Sequence, residues 1–231
     1  MTAPGLRYDA LLRLATECGC SGIELRNDLD SALFDGATPD QARAAAAAAN
    51  IEIIALAEVK SFNDWSDAKA AEADALMGLA SDCGAKGISL IPRNDGLGLG
   101  NGERQAKLRI ALRELMPMLA AHDLLGYVEP LGFEHCSMQY KSEAVEIIEA
   151  LGAEDRIKLI HDTFHHHLAG GGPVFAGHTG IVHVSGVTDS DISVREMQDP
   201  HRGLVDSHDR LGTLRQIEQL LAEGYRGPIS I

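Results

Sequence analysis

Short runs of β-branched and aliphatic residues alternate with amphipathic helical stretches along the whole chain. The segments 10–25, 73–91 and 216–231 each begin with apolar positions at helical spacing and end in a short apolar run. Such a run is typical of a strand buried on both faces. A glycine between the two parts suits the left-handed position that ends a helix. Segments 116–129 and 144–162 are looser copies, so the pattern predicts a repeated helix–strand unit.

The repeated unit predicts seven strands. They fall near residues 21–25, 51–56, 86–91, 125–129, 157–161, 180–184 and 228–231. Helices lie between them, including the alanine-rich 40–49, where Thr38 suits an N-cap and Pro39 the first helical position. Strand–helix alternation implies a parallel sheet, either a TIM barrel or a doubly wound sheet. We interpret residues 1–231 as one α/β domain, a (βα)8 TIM barrel that lacks the first strand and is cut inside the eighth.

A glycine-dense loop at 95–103 does not support a doubly wound nucleotide-binding fold. Its sequence, DGLGLGNGE, never gives the G-x-G-x-x-G spacing that a dinucleotide-binding turn needs. It also follows the strand at 86–91 rather than the first strand of the chain. We therefore expect a flexible loop or lid here, and we prefer the barrel.

The charge balance excludes two classes of partner. Asp and Glu number 34 against 20 Lys and Arg, which gives a formal net charge of −14. A field of that sign repels phosphate backbones and anionic membranes, so we expect no nucleic acid and no membrane as partners. The four cysteines, Cys18, Cys20, Cys83 and Cys136, form no C-x-x-C pair and are interpreted as buried thiols. With no secretory signal at the N-terminus, these features predict a cytoplasmic protein.

Ionisable residues follow the predicted strands at the edge where a TIM barrel places its chemistry. They are Glu24, Arg26, Asp28, Glu58, Lys60, Arg93, Asp95, Glu129, Asp162 and His183. Any barrel has a polar rim, which explains some of these charges without a function. Glu129, Asp162 and His183 are different because they would bring two carboxylates and an imidazole together from adjacent strands. This donor set suits a divalent metal ion, with salt bridges and polar caps as the alternative.

Strand alternation points the same three side chains into the barrel. Each lies two residues after an apolar position that shares its face: Tyr127, Ile160 and Ile181. His161 has the opposite parity, which predicts packing against a helix. His165, one turn beyond Asp162, can face the same substrate, whereas the run HHH taken alone is as typical of an adventitious surface metal cluster. Eight of the ten histidines fall between 161 and 208, so the carboxyl-terminal half carries the chemistry.

Three motifs resemble a known family. EPLGF (129–133), HDTFHHH (161–167) and VHVSG (182–186) are similar to the xylose-isomerase-like TIM barrels, and the resemblance covers essentially the whole chain. That superfamily holds sugar isomerases and epimerases, hydroxypyruvate isomerase, inosose isomerase and dehydratase, and endonuclease IV. GIELRNDL (22–29) and HDTFHHHLAG (161–170) most resemble the inosose isomerase branch, which acts in inositol catabolism.

The resemblance implies a metal site and a reaction. In the superfamily one divalent ion is held by a Glu, an Asp, a His and a second Glu after strands five to eight. Glu129, Asp162 and His183 match the first three, and the fourth would follow Ile231. The ion would be Mn, Co, Zn or Mg. The implied function is isomerisation or epimerisation of a small polyhydroxy ketone, inosose or ketose-like, through a metal-stabilised cis-enediolate.

The resemblance and the strand ends together assign roles to single residues. Glu129 would be a catalytic acid/base as well as a ligand, with the Glu after strand eight as its counterpart, and His165 would be catalytic beside the substrate. Glu134 would be a further carboxylate of the site, offset by one residue from the family position. Predicted substrate contacts are Lys60, Arg26, Arg93, Glu134 and Arg202.

Two alternatives stay open at this point. One is a metallohydrolase of the endonuclease IV type, which would need three zinc ions and a basic surface, although no histidine precedes residue 122. The other is a catalytically inactive barrel that binds a sugar. A barrel without one strand also exposes two strand edges, which a homodimer could cover.

Overall fold

Seven parallel strands form one sheet in chain order in the computed structural model, which describes residues 3, 5–100 and 102–231. The strands are β1 (Gly22–Arg26), β2 (Glu52–Lys60), β3 (Gly87–Ile91), β4 (Leu125–Val128), β5 (Ile157–Asp162), β6 (Thr179–His183) and β7 (Ile229–Ser230). The helices are α1 (Tyr8–Glu17), α2 (Pro39–Ala48), α3 (Asp67–Cys83), α4 (Glu103–Ala121), α5 (Lys141–Leu151), α6 (Thr163–Leu168) and α7 (Thr213–Ala222). Strand follows helix throughout, so the chain is a nearly closed α/β TIM barrel with one strand fewer than eight, as the sequence predicts.

The predicted strands are all present, with differences at their ends. β2 continues to Lys60 instead of stopping near residue 56, because its backbone pairs with β1 and β3 beyond the apolar run. Glu58 therefore lies inside a strand, although a charged residue at this position is more typical of a loop. β7 has only the two residues Ile229–Ser230.

Local signals in the sequence explain where the helices start and stop. Thr38 Oγ1 accepts a hydrogen bond from Gln41 N at 3.3 Å, and Gln41 Oε1 accepts one from Thr38 N at 2.9 Å, which closes a capping box at α2. Gly84 and Gly152 take the left-handed conformation after α3 and α5. Within the described ranges, no helix is long and apolar enough to cross a membrane.

The core has two layers. The larger one packs the helices against the outward face of the strands. The smaller one lies inside the barrel and consists of Ile54, Ala55, Tyr127, Ile160 and Ile181. Strand parity predicted Tyr127, Ile160 and Ile181 on this inner face, and the structure confirms it.

Tyr127 spans the inside of the barrel, and two glycines make room for its ring. A Cβ atom at Gly87 or at Gly180 would lie 2.7 Å from the nearest ring atom of Tyr127, much closer than carbon atoms can approach. The tyrosine ring is buried and packs between β3 and β6. The Tyr127 side chain, called the tyrosine plug below, fills the barrel beneath the polar ends of the strands.

The cysteine prediction is half wrong. Cys83 and Cys136 are buried, as expected. Cys18 and Cys20 are exposed, and both lie in the turn between α1 and β1.

Candidate active site

Two carboxylates and an imidazole converge where β4 and β5 end. Glu129 follows β4, Asp162 is the last residue of β5, and His165 lies in the first turn of α6. One ligand atom from each of the three lies within 4.8 Å of the other two. All three are buried, with 8, 1 and 4% of their surface exposed. Buried carboxylates cluster in this way only where a positive charge or a metal ion compensates them.

Asp162 builds the turn that presents His165. Its Oδ1 atom accepts hydrogen bonds from Phe164 N at 2.8 Å and from His165 N at 3.2 Å, so it is the N-cap of α6. Its Oδ2 atom accepts from Arg202 Nη2 at 2.6 Å. Burial alone would raise the pKa of Asp162, but the neighbouring His165 and Arg202 charges hold that pKa below its usual range.

His183, at the end of β6, bridges two carboxylates. Its Nδ1 atom lies 3.6 Å from Glu129 Oε1, and its Nε2 atom lies 3.0 Å from both carboxylate oxygens of Glu24 on β1. Burial opposes protonation of this ring, yet the Glu24 and Glu129 carboxylates outweigh it and hold the pKa of His183 well above its usual value. His183 is therefore adjacent to the triad through Glu129 but has Glu24 as its hydrogen-bond partner.

Beside the triad, the ends of β1 and β2 carry a network of paired charges. Arg26 Nη2 lies 2.6 Å from Asp28 and 3.6 Å from Glu58, and Lys60 Nζ lies 3.1 Å from Asp28 and 3.2 Å from Glu58. Burial raises the pKa of Glu58, and the two cations oppose that rise. The hydrogen bond between Arg26 and Asp28 raises the pKa of Arg26, and the negative charge of Glu129 in the triad adds to that rise.

Arg93 and Glu134 are not brought to the triad. Arg93 makes ion pairs with Asp64 at 2.7 Å and with Asp95 at 2.8 Å, beyond the end of β3. The Glu134 side chain is 76% exposed and faces Arg195 at 3.5 Å. Of the predicted substrate contacts, Arg202 contacts the triad through Asp162, whereas Arg26 and Lys60 pair with Glu58 and Asp28.

The triad fits a divalent cation by its donor set. Two carboxylates and an imidazole are oxygen and nitrogen ligands of the kind that Zn, Mn and Co accept. Within the described residues, the buried Nδ1 atom of His165 has no hydrogen-bond partner. A buried polar atom without a partner costs about 1–3 kcal/mol. The ring nitrogen that approaches Glu129 is Nε2, at 3.9 Å from Oε1, and not Nδ1, so the fit to a metal ion rests on the donor set of the triad.

Sequence reasoning missed Glu24 as a member of the site. The strand GIELR buries Ile23 and Leu25 toward the helices, and Glu24 between them must point into the barrel. A carboxylate on the inner face of a barrel strand is rare enough to count as a signal. Applying the parity argument to β1 as well as to β4–β6 would have found it.

The fold and the buried acid–histidine centre define a TIM barrel with a candidate active site at the carboxyl ends of its strands. The chain belongs to the xylose isomerase-like TIM barrel family, which it matches over residues 12–231. Members of this family are mostly enzymes, and isomerases and epimerases of sugars are among them. None of the curated proteins compared with the chain matches it.

Solved structures agree with this assignment. A xylose isomerase domain containing protein from Salmonella typhimurium LT2 is 30% identical, with a TM-score of 0.91 over 99% of this chain and 84% of its own. An IolI protein with a bound zinc atom is 18% identical, with a TM-score of 0.84 over 99% of this chain and 84% of its own. A D-psicose 3-epimerase from Clostridium cellulolyticum H10 is 14% identical, with a TM-score of 0.71 over 97% of this chain and 78% of its own. At 18 and 14% identity, the last two support the fold alone.

Proposed function

We propose that this protein is a divalent-metal-dependent isomerase or epimerase of a small polyhydroxy ketone, inosose or ketose-like. The observation that carries the proposal is the buried convergence of Glu129, Asp162 and His165, with His183 beside Glu129. The family to which the chain belongs includes sugar isomerases and epimerases, and a zinc-bound IolI protein and a D-psicose 3-epimerase share its fold. Both ketose isomerisation and epimerisation move a proton beside a carbonyl, which this donor set suits.

Glu129 is the residue placed to move the proton. In an isomerisation it would take a proton from the carbinol carbon next to the carbonyl, which leaves a cis-enediolate, and return it to the neighbouring carbon on the same face while the hydroxyl proton passes to the former carbonyl oxygen. In an epimerisation a second acid would protonate the opposite face of the enediolate. Its carboxylate is nearly buried and lies 3.9 Å from His165 Nε2. The Glu129 charge raises the pKa of both Arg202 and Arg26, and these two cations would supply positive charge near the developing oxyanion.

Asp162, Glu129, His165 and His183 are the residues that would hold a divalent ion. Such an ion would act as a Lewis acid that polarises the substrate carbonyl. The protein side of this arrangement is rigid, because Asp162 is fixed by two backbone N–H groups and by Arg202. A fixed geometry favours the transition state because no reorganisation is needed during the reaction.

Solvent exchange tests the proposal. The purified chain is incubated with inosose in D2O and Mn, Co, Zn or Mg, and NMR follows deuterium entry at the carbon next to the carbonyl. We expect exchange with at least one ion, and a loss of about 100-fold or more in Glu129→Gln, because that variant lacks the proton acceptor. Glu114→Gln is the matched control, since Glu114 pairs with Arg113 on the outside of α4.

Two results would contradict the proposal. Equal exchange in the wild type and in Glu129→Gln would remove Glu129 from the reaction. Binding of the ketose without exchange under any of the ions would favour a sugar-binding barrel instead.

A further inference from the structure

A second buried cluster lies on the opposite side of β5 and α6 from the triad. Lys141, the first residue of α5, places Nζ 2.5 Å from His161 Nδ1 and 3.0 Å from His166 Nδ1. Only 7% of the Lys141 surface is exposed. Lysine is almost never buried to this degree unless a partner neutralises its charge. The position of Lys141 therefore needs an explanation beyond packing.

The hydrogen bonds around Lys141 form a chain in which each group donates to the next, starting from the Lys141 ammonium group. Its ammonium group donates to Nδ1 of both imidazoles, which leaves their second nitrogens as donors. His161 Nε2 donates to Gln216 Oε1 at 2.9 Å, and Gln216 Nε2 donates to the Thr163 carbonyl at 3.0 Å. For His166 Nε2, no hydrogen bond is found within the described part of the chain.

Lys141 lacks a counter-ion among the residues that the structure describes. In the described residues no carboxylate makes an ion pair with it, and its side-chain partners are the two imidazole nitrogens. Burial lowers the pKa of Lys141 to about 7, and the more distant Asp162 charge opposes this only in part. An unpaired charge in a buried position is costly, so an anion brought next to it would be bound with a favourable free energy.

A cleft gives an anion access to this position. It has a volume of about 360 Å³, including the solvent at its mouth, and lies between the start of α5 and the segment after α6. Lys141, His166 and Ser142 line it, and Pro173 and Phe175 form its apolar side. The first turn of α5, an 11-residue helix, adds the positive end of its dipole.

We propose that this cleft is a binding site for a small oxyanion, a carboxylate or phosphate group, with Lys141 as its charge partner and His166 and Ser142 as further hydrogen-bond donors. The cleft shares one wall with the candidate active site, because His165 also lines it. An anion bound there would sit behind the histidine of the triad. The proposal rests on the cleft and its donors, and it holds whatever reaction the triad performs.

Calorimetric titration with inorganic phosphate and, separately, with acetate tests the site and distinguishes the two oxyanions. We expect the wild type to bind at least one of them and Lys141→Met to lose affinity by about tenfold or more, because a charge-assisted hydrogen bond is removed. Lys86→Met is the matched control, since Lys86 is exposed and pairs with Glu52.

A second pair of variants covers the case in which Lys141→Met fails to fold. Ser142→Glu leaves Lys141 in place, puts a negative charge into the cleft and suits the first turn of a helix, so anion binding should be lost. Ser142→Gln has the same shape without the charge and loses only the hydrogen bond of the serine hydroxyl, so it should bind the anion about tenfold or more tighter than Ser142→Glu.

Three outcomes would overturn the proposal. The first is that the wild type binds neither phosphate nor acetate with a Kd of about 1 mM or tighter. The second is equal binding by the wild type and Ser142→Glu. The third is binding that is lost in Asp162→Asn but kept in Ser142→Glu. The last result would place the anion at the triad. Binding that survives Asp162→Asn and is lost in both Lys141→Met and Ser142→Glu supports the cleft.

Discussion

The two faces of β5 and α6 carry opposite chemistry within a few residues of chain. On the inner face, Asp162 and His165 meet Glu129, so two carboxylates and an imidazole share a buried pocket. On the outer face, their sequence neighbours His161 and His166 surround a buried lysine without a carboxylate. The inner cluster suits a cation, and the outer cluster suits an anion.

Periodicity alone creates this separation. Adjacent strand residues point to opposite faces, so His161 and Asp162 must separate, and neighbouring helix residues such as His165 and His166 also diverge. A histidine-rich stretch therefore need not be one site. Here its residues are divided between two buried clusters, and the carboxylates of these clusters lie on the inner side.

The largest expected effect comes from breaking the inner face alone. Asp162→Asn keeps the shape of the side chain but removes the ligand charge and the partner of Arg202. We expect Co affinity to fall by at least about 100-fold, since even changes outside the ligand set cost 10–100-fold. Competition with a chromogenic chelator measures it. Unchanged Co affinity would show that the triad does not hold the ion.

Breaking the outer face should instead affect stability. His161→Leu removes hydrogen bonds to Lys141 and Gln216 in a position with no exposed surface. We expect the free energy of unfolding to fall by about 2–4 kcal/mol, because buried donors and acceptors lose their partners. Urea denaturation measures this change. His122→Leu, at a surface ion pair with Asp74, is the control and should change it little.

The inner face also depends on the tyrosine plug beneath it. Gly180→Ala would force a methyl group against the Tyr127 ring and against Cβ of Lys158, each 2.7 Å away, and we expect a loss of about 1–3 kcal/mol from overpacking. Gly177→Ala is the matched control, because a Cβ there meets no atom within 4 Å. Thermal unfolding compares the two variants. Equal melting temperatures would mean that the plug can shift without cost.

At the ends of β1 and β2, positive and negative side chains are paired with each other, in contrast to the two buried clusters. We expect a smaller change in stability when this pairing is broken. The hydrogen bond from Arg26, helped by Lys60, holds the pKa of Asp28 below its usual value. The stabilisation is complete above the unfolded-state pKa, about 3.9, and is lost as the pH falls toward the lower folded-state value. We therefore expect the wild type to exceed Asp28→Asn in stability at pH 6 and to lose part of that advantage at pH 3.

Asp30→Asn is the control for that comparison, because Asp30 makes no ion pair within the described ranges. Urea denaturation at both pH values measures the difference. A constant gap between the wild type and Asp28→Asn would mean that the ion pairs around Asp28 do not contribute to folding.

The sequence predicts the barrel and the residues of the inner face well. Strand periodicity placed Tyr127, Ile160 and Ile181 inside, and the same parity brought Asp162 and Glu129 together. Such predictions succeed because alternation is a local property of a strand. The carboxyl-terminal end of β2 and the exposure of Cys18 depend on pairing and packing, which a local pattern does not contain.

The outer face could not be predicted in the same way. Lys141 stands at the start of an amphipathic helix, where a lysine is normally solvated, and nothing in QYKSEAV marks it as buried. Its burial follows from how α5 packs against β5 and α6. His161 was expected to pack against a helix, and it does so through Gln216 of α7.

The bond between Glu24 and His183 joins residues that are 159 positions apart in the chain. During synthesis, Glu24 leaves the ribosome long before its partner exists, and its carboxylate must stay hydrated until β6 has been made. Closing so long a loop costs entropy that only a nearly finished barrel can offset. The charges around the triad therefore come together late in folding, so a half-made chain should have little affinity for a metal ion.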